Sequence, residues 1–329
     1  MITVRYDNLK AVSQDRRVVE FDKEARHGKI TGSRFLAVLG KDKYTTDFQV
    51  ACLIGRVYYD DTKTKYTIAG DFLEPVIRKF VRSKCDSQLK DILGVEDEIM
   101  VEEPVNKNDC YYDHFRREKV FGGMVDGYVQ VKKRRYAVLE IKTSRDRSDW
   151  FDENGGRKIP EGYYLQASLY AQLSNLDKIV FAVCFLNEND YDNLSEFEVN
   201  DDNTLIFCVD KKDIAEEMQI ASEWYAKYID AGVTPEWTDA DSQLLEELRT
   251  YRVKELPYEA QREFKRYVKH MDSEDDLSEI EDNLEYVLET IAAENAAVGV
   301  DKVVYECDGV LFTYTQYKGK APGFTAARI

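Results

Sequence analysis

Apolar residues recur at helical spacing in several stretches of this chain. The spacing predicts a short helix over 33–40, a longer amphipathic helix around 72–81 and a third helix over 163–173. Ser33 is expected to cap the first helix and Gly40 to end it. Pro75 fits the first turn of the second helix, or kinks it.

Strand-like runs lie between and after these helices. Residues 121–131 and 136–143 flank the basic turn 132–135, which predicts a hairpin. The wholly apolar run 179–186 predicts a buried strand. The order of helices and strands therefore indicates an α/β fold.

The pattern changes after Pro235. The following segment is acidic and helical, and its apolar residues at spacings of three and four favour a helical hairpin over a long coiled coil: Leu277, Ile280, Leu284, Val287 and Ile291. Asp308-Gly309 predicts a closing β-hairpin. We therefore expect two domains, 1–235 and an acidic helical appendage over 236–329.

Composition limits the class of protein. Hydrophobic residues make up 43% and charged residues 33% of the chain, a balance typical of soluble globular proteins. The longest apolar run is too short to span a bilayer, and the first residues lack a signal-peptide core. Six scattered cysteines without a CxxC pair exclude a zinc knuckle and argue against an iron–sulfur cluster. A cytoplasmic protein without a membrane partner is expected.

The formal net charge of −17 argues against a protein that coats nucleic acid with a basic face. The charge is unevenly distributed, however. Residues 236–301 hold 19 acidic and seven basic side chains, whereas residues 1–34 hold eight basic and five acidic ones. An acidic exterior with a focused basic channel is compatible with a polyanionic substrate.

Candidate chemistry centres on the predicted hairpin. Residues two apart on a strand share a face, so Glu140 and Lys142 are expected to project together, away from Leu139 and Ile141. Asp126 falls opposite them on the partner strand. Two carboxylates beside an ammonium suit a hard divalent cation such as Mg²⁺, and the lysine would orient or help deprotonate an attacking water.

Each of these signals also has an ordinary structural interpretation. The E-x-K pattern is common on solvated strands, and Asp126 with glycines on both sides of it in the sequence fits a turn. Glu74 is either a third carboxylate of the site or a solvated helix residue. Gln166 and Tyr170 share one helix face, as site residues or as a polar edge beside the core.

The segment Arg26-His-Gly-Lys-Ile-Thr-Gly-Ser33 directly precedes the first predicted helix. Free backbone N–H groups at a helix N-terminus favour an anion, and Arg26 and Lys29 supply cations. A plain capped helix with solvated basic residues is the other interpretation.

Five stretches occur in a distinctive order: RHGKITGSRFLAVLG, GDFLEPVIRKF, GGMVDGYV, VLEIKTS and YYLQASLYAQL. Together they resemble the λ-exonuclease, or YqaJ-like viral recombinase, branch of the restriction-endonuclease-like (PD-(D/E)xK) nucleases. The resemblance covers roughly residues 20–230 and implies a restriction-endonuclease-like core, with a central mixed β-sheet flanked by helices. Val125 stands where the family usually has a proline. The segment after residue 235 is matched more loosely.

The resemblance implies a role for each residue of the hairpin motif. Asp126 and Glu140 would bind the metal ion, with the Ile141 carbonyl as a third ligand. Lys142 would activate the water, and Glu74 would act on the metal or water side. The cofactor would be Mg²⁺, with Mn²⁺ possible because both ions suit carboxylate ligands.

The remaining motifs imply supporting and DNA-binding roles. Gln166 would support the active site, and Arg26 and Ser33 would hold a terminal 5′-phosphate. Tyr170 occupies a further position of the helix motif. The turn 132–135 contacts the DNA backbone or is a solvated hairpin tip.

The implied activity is a Mg²⁺-dependent 5′-to-3′ exonuclease on double-stranded DNA ends, from a phage recombination system. It would leave 3′ single-stranded tails for an annealing protein, and a homo-oligomeric ring is expected. Two alternatives stay open: an endonuclease or end-indifferent nuclease on the same fold, and a non-catalytic DNA- or partner-binding protein.

Overall fold

A computed structural model describes residues 2–4, 7–60, 62–103, 113–273, 276–316 and 321–329. By the proximity of their Cα atoms these residues form two compact units. The first unit comprises Met1–His27, Ala51–Asp60 and Tyr228–Ile329; the second comprises Gly28–Val50 and Asp61–Lys227. Cys110 lies outside the described residues, and the five described cysteines are free thiols.

The strands of the described residues are, in chain order, β1 (Ile2–Val4), β2 (Leu9–Ser13), β3 (Val18–Phe21), β4 (Ile30–Thr31), β5 (Tyr58–Asp60), β6 (Ile99–Glu102), β7 (Phe121–Gly122), β8 (Gly127–Val131), β9 (Arg134–Ser144), β10 (Lys178–Phe185), β11 (Thr204–Asp210), β12 (Thr250–Arg252), β13 (Lys302–Cys307), β14 (Val310–Thr315) and β15 (Gly323–Arg328).

The α-helices are α1 (Gly32–Val38), α2 (Asp47–Ile54), α3 (Lys65–Ser83), α4 (Gln88–Leu93), α5 (Glu161–Leu173), α6 (Ala215–Trp224), α7 (Ser242–Arg249), α8 (Tyr258–His270) and α9 (Ser278–Asn295). Where the structure describes the chain, none of these helices has the length and apolar character needed to cross a bilayer.

A five-stranded mixed sheet forms the centre of the second unit, in the order β11-β10-β9-β8-β6. Only the β9–β10 pair in it is parallel. The predicted hairpin is confirmed as β8 and β9, joined at Lys132 and Lys133 with φ of 52° and 63°. Positive φ at both central residues is the geometry of a tight two-residue hairpin turn. Arg134 and Arg135 therefore belong to β9.

The predicted strand 121–131 is wrong as one element. Phe121 and Gly122 form β7, which pairs with β4, and the chain leaves the sheet before β8 begins at Gly127. Gly123, with φ of 128°, lies in this break, and a Cβ there would come within 2.6 Å of the Tyr170 hydroxyl. Asp126 therefore lies in the connection just before β8 rather than on a strand.

Helices cover both faces of the central sheet. The buried residues of α3 and α4 pack with Ala137, Leu139 and Ile141 of β9. On the other face α5 packs with Val138. Because Glu140 alternates with Leu139 and Ile141, it lies on the α5 side and is fully buried. This sandwiching explains why the strand lacks a solvated face.

The helix predicted around 72–81 is confirmed as part of the longer α3, and Pro75 lies in its interior rather than in its first turn. Its buried stripe is Leu73, Ile77 and Val81. Phe72 and Val76, two further apolar residues of this helix, are 47% and 38% exposed. The i, i+4 row of the buried residues leaves these two beside the packed face.

In the first unit a four-stranded sheet, β12-β13-β14-β15, packs on α8 and α9. The predicted hairpin turn at Asp308-Gly309 joins β13 and β14, and β12 and β15 extend this hairpin into the sheet. The buried residues of α9 are Ile280, Leu284, Leu288 and Ala292. The buried row therefore follows i, i+4 spacing rather than the predicted spacings of three and four, and Val287 and Ile291 of the predicted stripe are only partly buried.

The predicted boundary at residue 235 stays a prediction. Around it, β3 bonds to the chain that follows the second unit: the Phe21 N–H donates to the Gly232 carbonyl and the Thr234 N–H to the Val19 carbonyl, both at 2.9 Å. These bonds explain why the first unit includes residues before 28 as well as the C-terminal region.

Candidate active site

Glu140 of β9 lies at the centre of the candidate site with no exposed surface. Its Oε1 accepts hydrogen bonds from Lys142 Nζ at 2.6 Å and from Gln166 Nε2 at 2.8 Å. Among the described residues its Oε2 has no hydrogen-bond partner. A buried carboxylate oxygen is costly to leave unpaired, so this atom is poised for a ligand.

Two hydrogen bonds fix the position of Asp126. Its Oδ2 accepts a hydrogen bond from the Ile141 N–H at 2.6 Å, and its carbonyl accepts one from Arg78 Nε at 2.7 Å. The connection before β8 is thereby bonded to both β9 and α3. The two predicted carboxylates thus lie on adjoining segments, although only Glu140 is on a strand.

Glu74 of α3 forms an ion pair with Arg78, one helical turn further on. Arg78, whose side chain is 7% exposed, also binds Glu103 at 3.0 Å. The sequence analysis missed Arg78. The signal was available: a Glu and an Arg four residues apart, with the Arg next to the buried Ile77.

The carboxyl groups influence one another's protonation. Burial raises the pKa of Glu140, and the charges of Asp126 and Glu74 raise it further, against the opposing charge of Lys142. Burial also raises the pKa of Asp126 and of Glu74. Burial lowers the pKa of Lys142, but the charges of Glu140 and Asp126 outweigh it and the pKa lies above its usual range. Lys142 is therefore an ammonium at neutral pH.

The donor set fits a hard divalent cation. Asp126 and Glu140 are half-buried and buried carboxyl groups with raised pKa values, and one Glu140 oxygen is unpartnered. A positive charge placed between them would stabilise their ionised forms. Within the described ranges no group of three His, Cys, Asp or Glu side chains is arranged as a preformed metal cage. Glu74 is turned to Arg78 instead.

The N-terminus of α1 packs against the helix that carries Gln166. The Gly32 N–H donates to the Tyr170 hydroxyl at 3.2 Å, and a Cβ on Gly32 would approach Gln166 Cγ to 2.5 Å. Ser33, the next residue, is therefore close to the side chain that bonds Glu140. Tyr170 thereby joins α1 to α5.

The predicted cap of α1 is wrong by two residues. Thr31 holds the N-cap position without a side-chain bond to the helix, and Ser33 is inside the first turn. The Ser33 and Thr31 hydroxyls lie 3.0 Å apart. The predicted end is confirmed, since Gly40 has a φ of 68° just after the helix.

The basic residues before α1 differ in their surroundings. Arg26 is exposed and belongs to the first unit. Lys29 lies in the second unit, where its Nζ binds Asp113 at 2.6 Å and donates to the Phe115 carbonyl at 2.8 Å. Lys29 is thus already paired with Asp113, and its role as a cation for an anion site stays a prediction.

The basic hairpin turn is also largely paired. Lys132 binds Asp97 at 3.0 Å, and Arg135 Nε donates to Glu102 at 2.9 Å. The Arg135 guanidinium also lies 3.8 Å from the centre of the Tyr128 ring. These contacts favour the solvated-tip interpretation for this segment.

Comparison with known proteins finds a domain match. Residues 23–177, which include Glu74, Asp126 and Glu140, match the model of the YqaJ-like viral recombinase domain. The uncharacterized protein MG373 of Mycoplasma genitalium is 27% identical over 67% of this chain and 87% of its own length.

Two solved structures have a related arrangement at low similarity. The alkaline exonuclease of Laribacter hongkongensis has a TM-score of 0.40 and 17% identity, over 68% of this chain and 94% of its own. A phage-related exonuclease of Haemophilus somnus has a TM-score of 0.39 and 16% identity, over 67% and 96%. The domain match confirms the resemblance carried by the five motifs: residues 23–177 are similar to the YqaJ-like viral recombinase domain.

Proposed function

We propose that the protein is a Mg²⁺-dependent exonuclease that degrades the 5′ strand at double-stranded DNA ends. The observation that carries the proposal is the buried Glu140, whose Oε2 is unpartnered while Oε1 is held by Lys142 and Gln166. This arrangement, beside Asp126, suits metal-assisted phosphodiester hydrolysis.

Asp126, Glu140 and the Ile141 carbonyl are the proposed ligands of Mg²⁺ or Mn²⁺, with Glu74 on the metal or water side. When bound, such an ion polarises the scissile phosphate and makes water a stronger nucleophile. The chain's own contribution is orientation. Gln166 and Lys142 hold one oxygen of Glu140, and the Ile141 N–H holds one oxygen of Asp126.

Lys142 is the proposed residue that activates the water. As an ammonium it orients the attacking water, or a phosphate oxygen, by donating hydrogen bonds. Its charge also opposes the repulsion between the carboxylates and an incoming phosphate. Both effects place a correctly aligned nucleophile beside the phosphorus atom.

Recognition of the DNA end would set the polarity. Ser33, close to Gln166, is proposed to contact a terminal 5′-phosphate, and Arg26 is proposed to contribute a cation to that phosphate. The proposed product is a 3′ single-stranded tail for an annealing protein of a phage recombination system. From the resemblance we also propose a homo-oligomeric ring around the DNA. Such a ring would let an acidic chain act on a polyanion by gathering basic residues along its channel.

The experiment compares linear duplexes with a 5′-phosphate or a 5′-hydroxyl, and a closed circular duplex. We expect hydrolysis of the 5′-phosphorylated strand, slower hydrolysis from a 5′-hydroxyl, and an intact circle. Ser33→Ala should reduce the preference for the 5′-phosphate about tenfold, the range expected for one hydrogen bond to a charged group. Arg26→Ala is expected to weaken it as well.

Ser83→Ala, which removes an exposed hydroxyl at the end of α3, is the matched control and should keep the preference. Cutting of the closed circle would favour the endonuclease alternative. Absence of hydrolysis on every substrate would favour the non-catalytic alternative. Equal rates from both kinds of end would contradict the proposed 5′-phosphate site.

A further inference from the structure

Four aromatic side chains pack together beside the end of β9. Trp150 is 1% exposed, and the Tyr163 ring stacks on it with 5.6 Å between ring centres and 14° between ring planes. Phe181 and Phe207 contact Trp150 edge-on at 6.0 and 6.4 Å. Phe181 and Phe207 hold Trp150 in place, and the Tyr163 ring is oriented by stacking on it.

The Tyr163 ring faces the lysine of the candidate site. Lys142 Nζ lies 5.1 Å from the centre of this ring, within the range of a cation–π interaction. The same nitrogen lies 2.6 Å from Glu140 Oε1, and the lysine side chain is 18% exposed. The ammonium is thus held by a carboxylate and by an aromatic face.

We propose that Tyr163 is a positioning residue for DNA hydrolysis, whose ring, fixed by Trp150, holds the Lys142 ammonium in place. This inference rests on the proposed function. Lysine has a flexible four-carbon stem, and a single ion pair leaves its ammonium several accessible rotamers. Contact with the ring disfavours the Lys142 rotamers that carry the nitrogen away from Glu140. The lysine side chain therefore loses less conformational freedom when substrate binds.

The kinetic test replaces the ring and keeps the rest of the site. Tyr163→Leu is expected to lower kcat about 3- to 30-fold, the range that corresponds to one cation–π contact, with little change in KM for DNA. Tyr163→Phe keeps the ring face and should retain most of kcat. Tyr164→Leu is the matched control, because the adjacent Tyr164 instead donates its hydroxyl to the Asp210 carbonyl at 2.8 Å.

A second measurement detects the contact without activity. In metal-free protein with ¹³C-labelled lysine Cε, the Lys142 signal, assigned by its loss in Lys142→Arg, should show a ring-current shift. That shift should disappear in Tyr163→Leu and persist in Tyr163→Phe and Tyr164→Leu. A wild type without nuclease activity would overturn the proposed function, and the spectrum would still decide the contact.

Three results would overturn the inference while the proposed function stands. One is an active wild type whose kcat is unchanged in Tyr163→Leu. Another is an equal loss in Tyr163→Phe, which would assign the effect to the hydroxyl. The third is a Lys142 signal that is identical in wild type and Tyr163→Leu.

Discussion

Glu140→Gln is expected to lower the rate of DNA hydrolysis by about a thousandfold or more, in the range seen when a principal electrostatic group is removed from an active site. The amide keeps the size and the hydrogen-bond capacity of the side chain but removes the negative charge that would bind a cation. Glu140 is buried between Lys142 and Gln166, so the substitution removes a negative charge at the centre of the site.

Single-turnover rates on a 5′-phosphorylated linear duplex would measure the loss. Glu153→Gln, the same change at an exposed position of the same unit, is the control and should hydrolyse DNA at the wild-type rate. A folded Glu140→Gln protein with a rate within about tenfold of wild type would contradict a ligand role, since that range is typical of supporting residues.

Arg78→Met is expected to lower the free energy of unfolding by about 2–4 kcal/mol. The guanidinium is buried and joins Glu74, Glu103 and the Asp126 carbonyl, so its loss removes a donor from three acceptors, of which Glu103 keeps its contact with Arg82. The value lies toward the lower part of the range for buried ion pairs because Glu74 and Glu103 are 39% and 52% exposed.

Urea unfolding of Arg78→Met and Arg82→Met would test this difference. Arg82 lies one turn further along α3, is 43% exposed and binds Glu103 at 3.3 Å, so its loss should cost about 1 kcal/mol or less. DNA hydrolysis should also fall in Arg78→Met, because the Asp126 connection loses its bond to α3. Equal unfolding energies in the two variants would show that Arg78 does not organise the site.

The local pattern predicted the hairpin and the pair of residues on it. A tight turn between two apolar runs places β8 beside β9, and the alternation along β9 places Glu140 and Lys142 on one side. These features depend on near neighbours in the chain, which is why they are visible in the sequence. The motif order then indicated the resemblance to the family, and the domain match over residues 23–177 confirms that resemblance.

The contacts that complete the site depend on distant parts of the chain. The burial of Glu140 follows from α5 covering a sheet face, and the Gly32–Tyr170 bond joins residues 138 apart. The break before Asp126 follows from packing of Gly123 against Tyr170. Such contacts are set by the packing of elements, so the strand 121–131 and the Ser33 cap were predicted wrongly.

Digestion of a 5′-phosphorylated linear duplex by the wild-type protein, in Mg²⁺ and in EDTA, tests the central claim most directly. We expect the 5′-phosphorylated strand to be shortened from its end in Mg²⁺ and to stay intact in EDTA, with the partner strand left as a 3′ tail. An intact duplex in Mg²⁺, or equal digestion in EDTA, would contradict it.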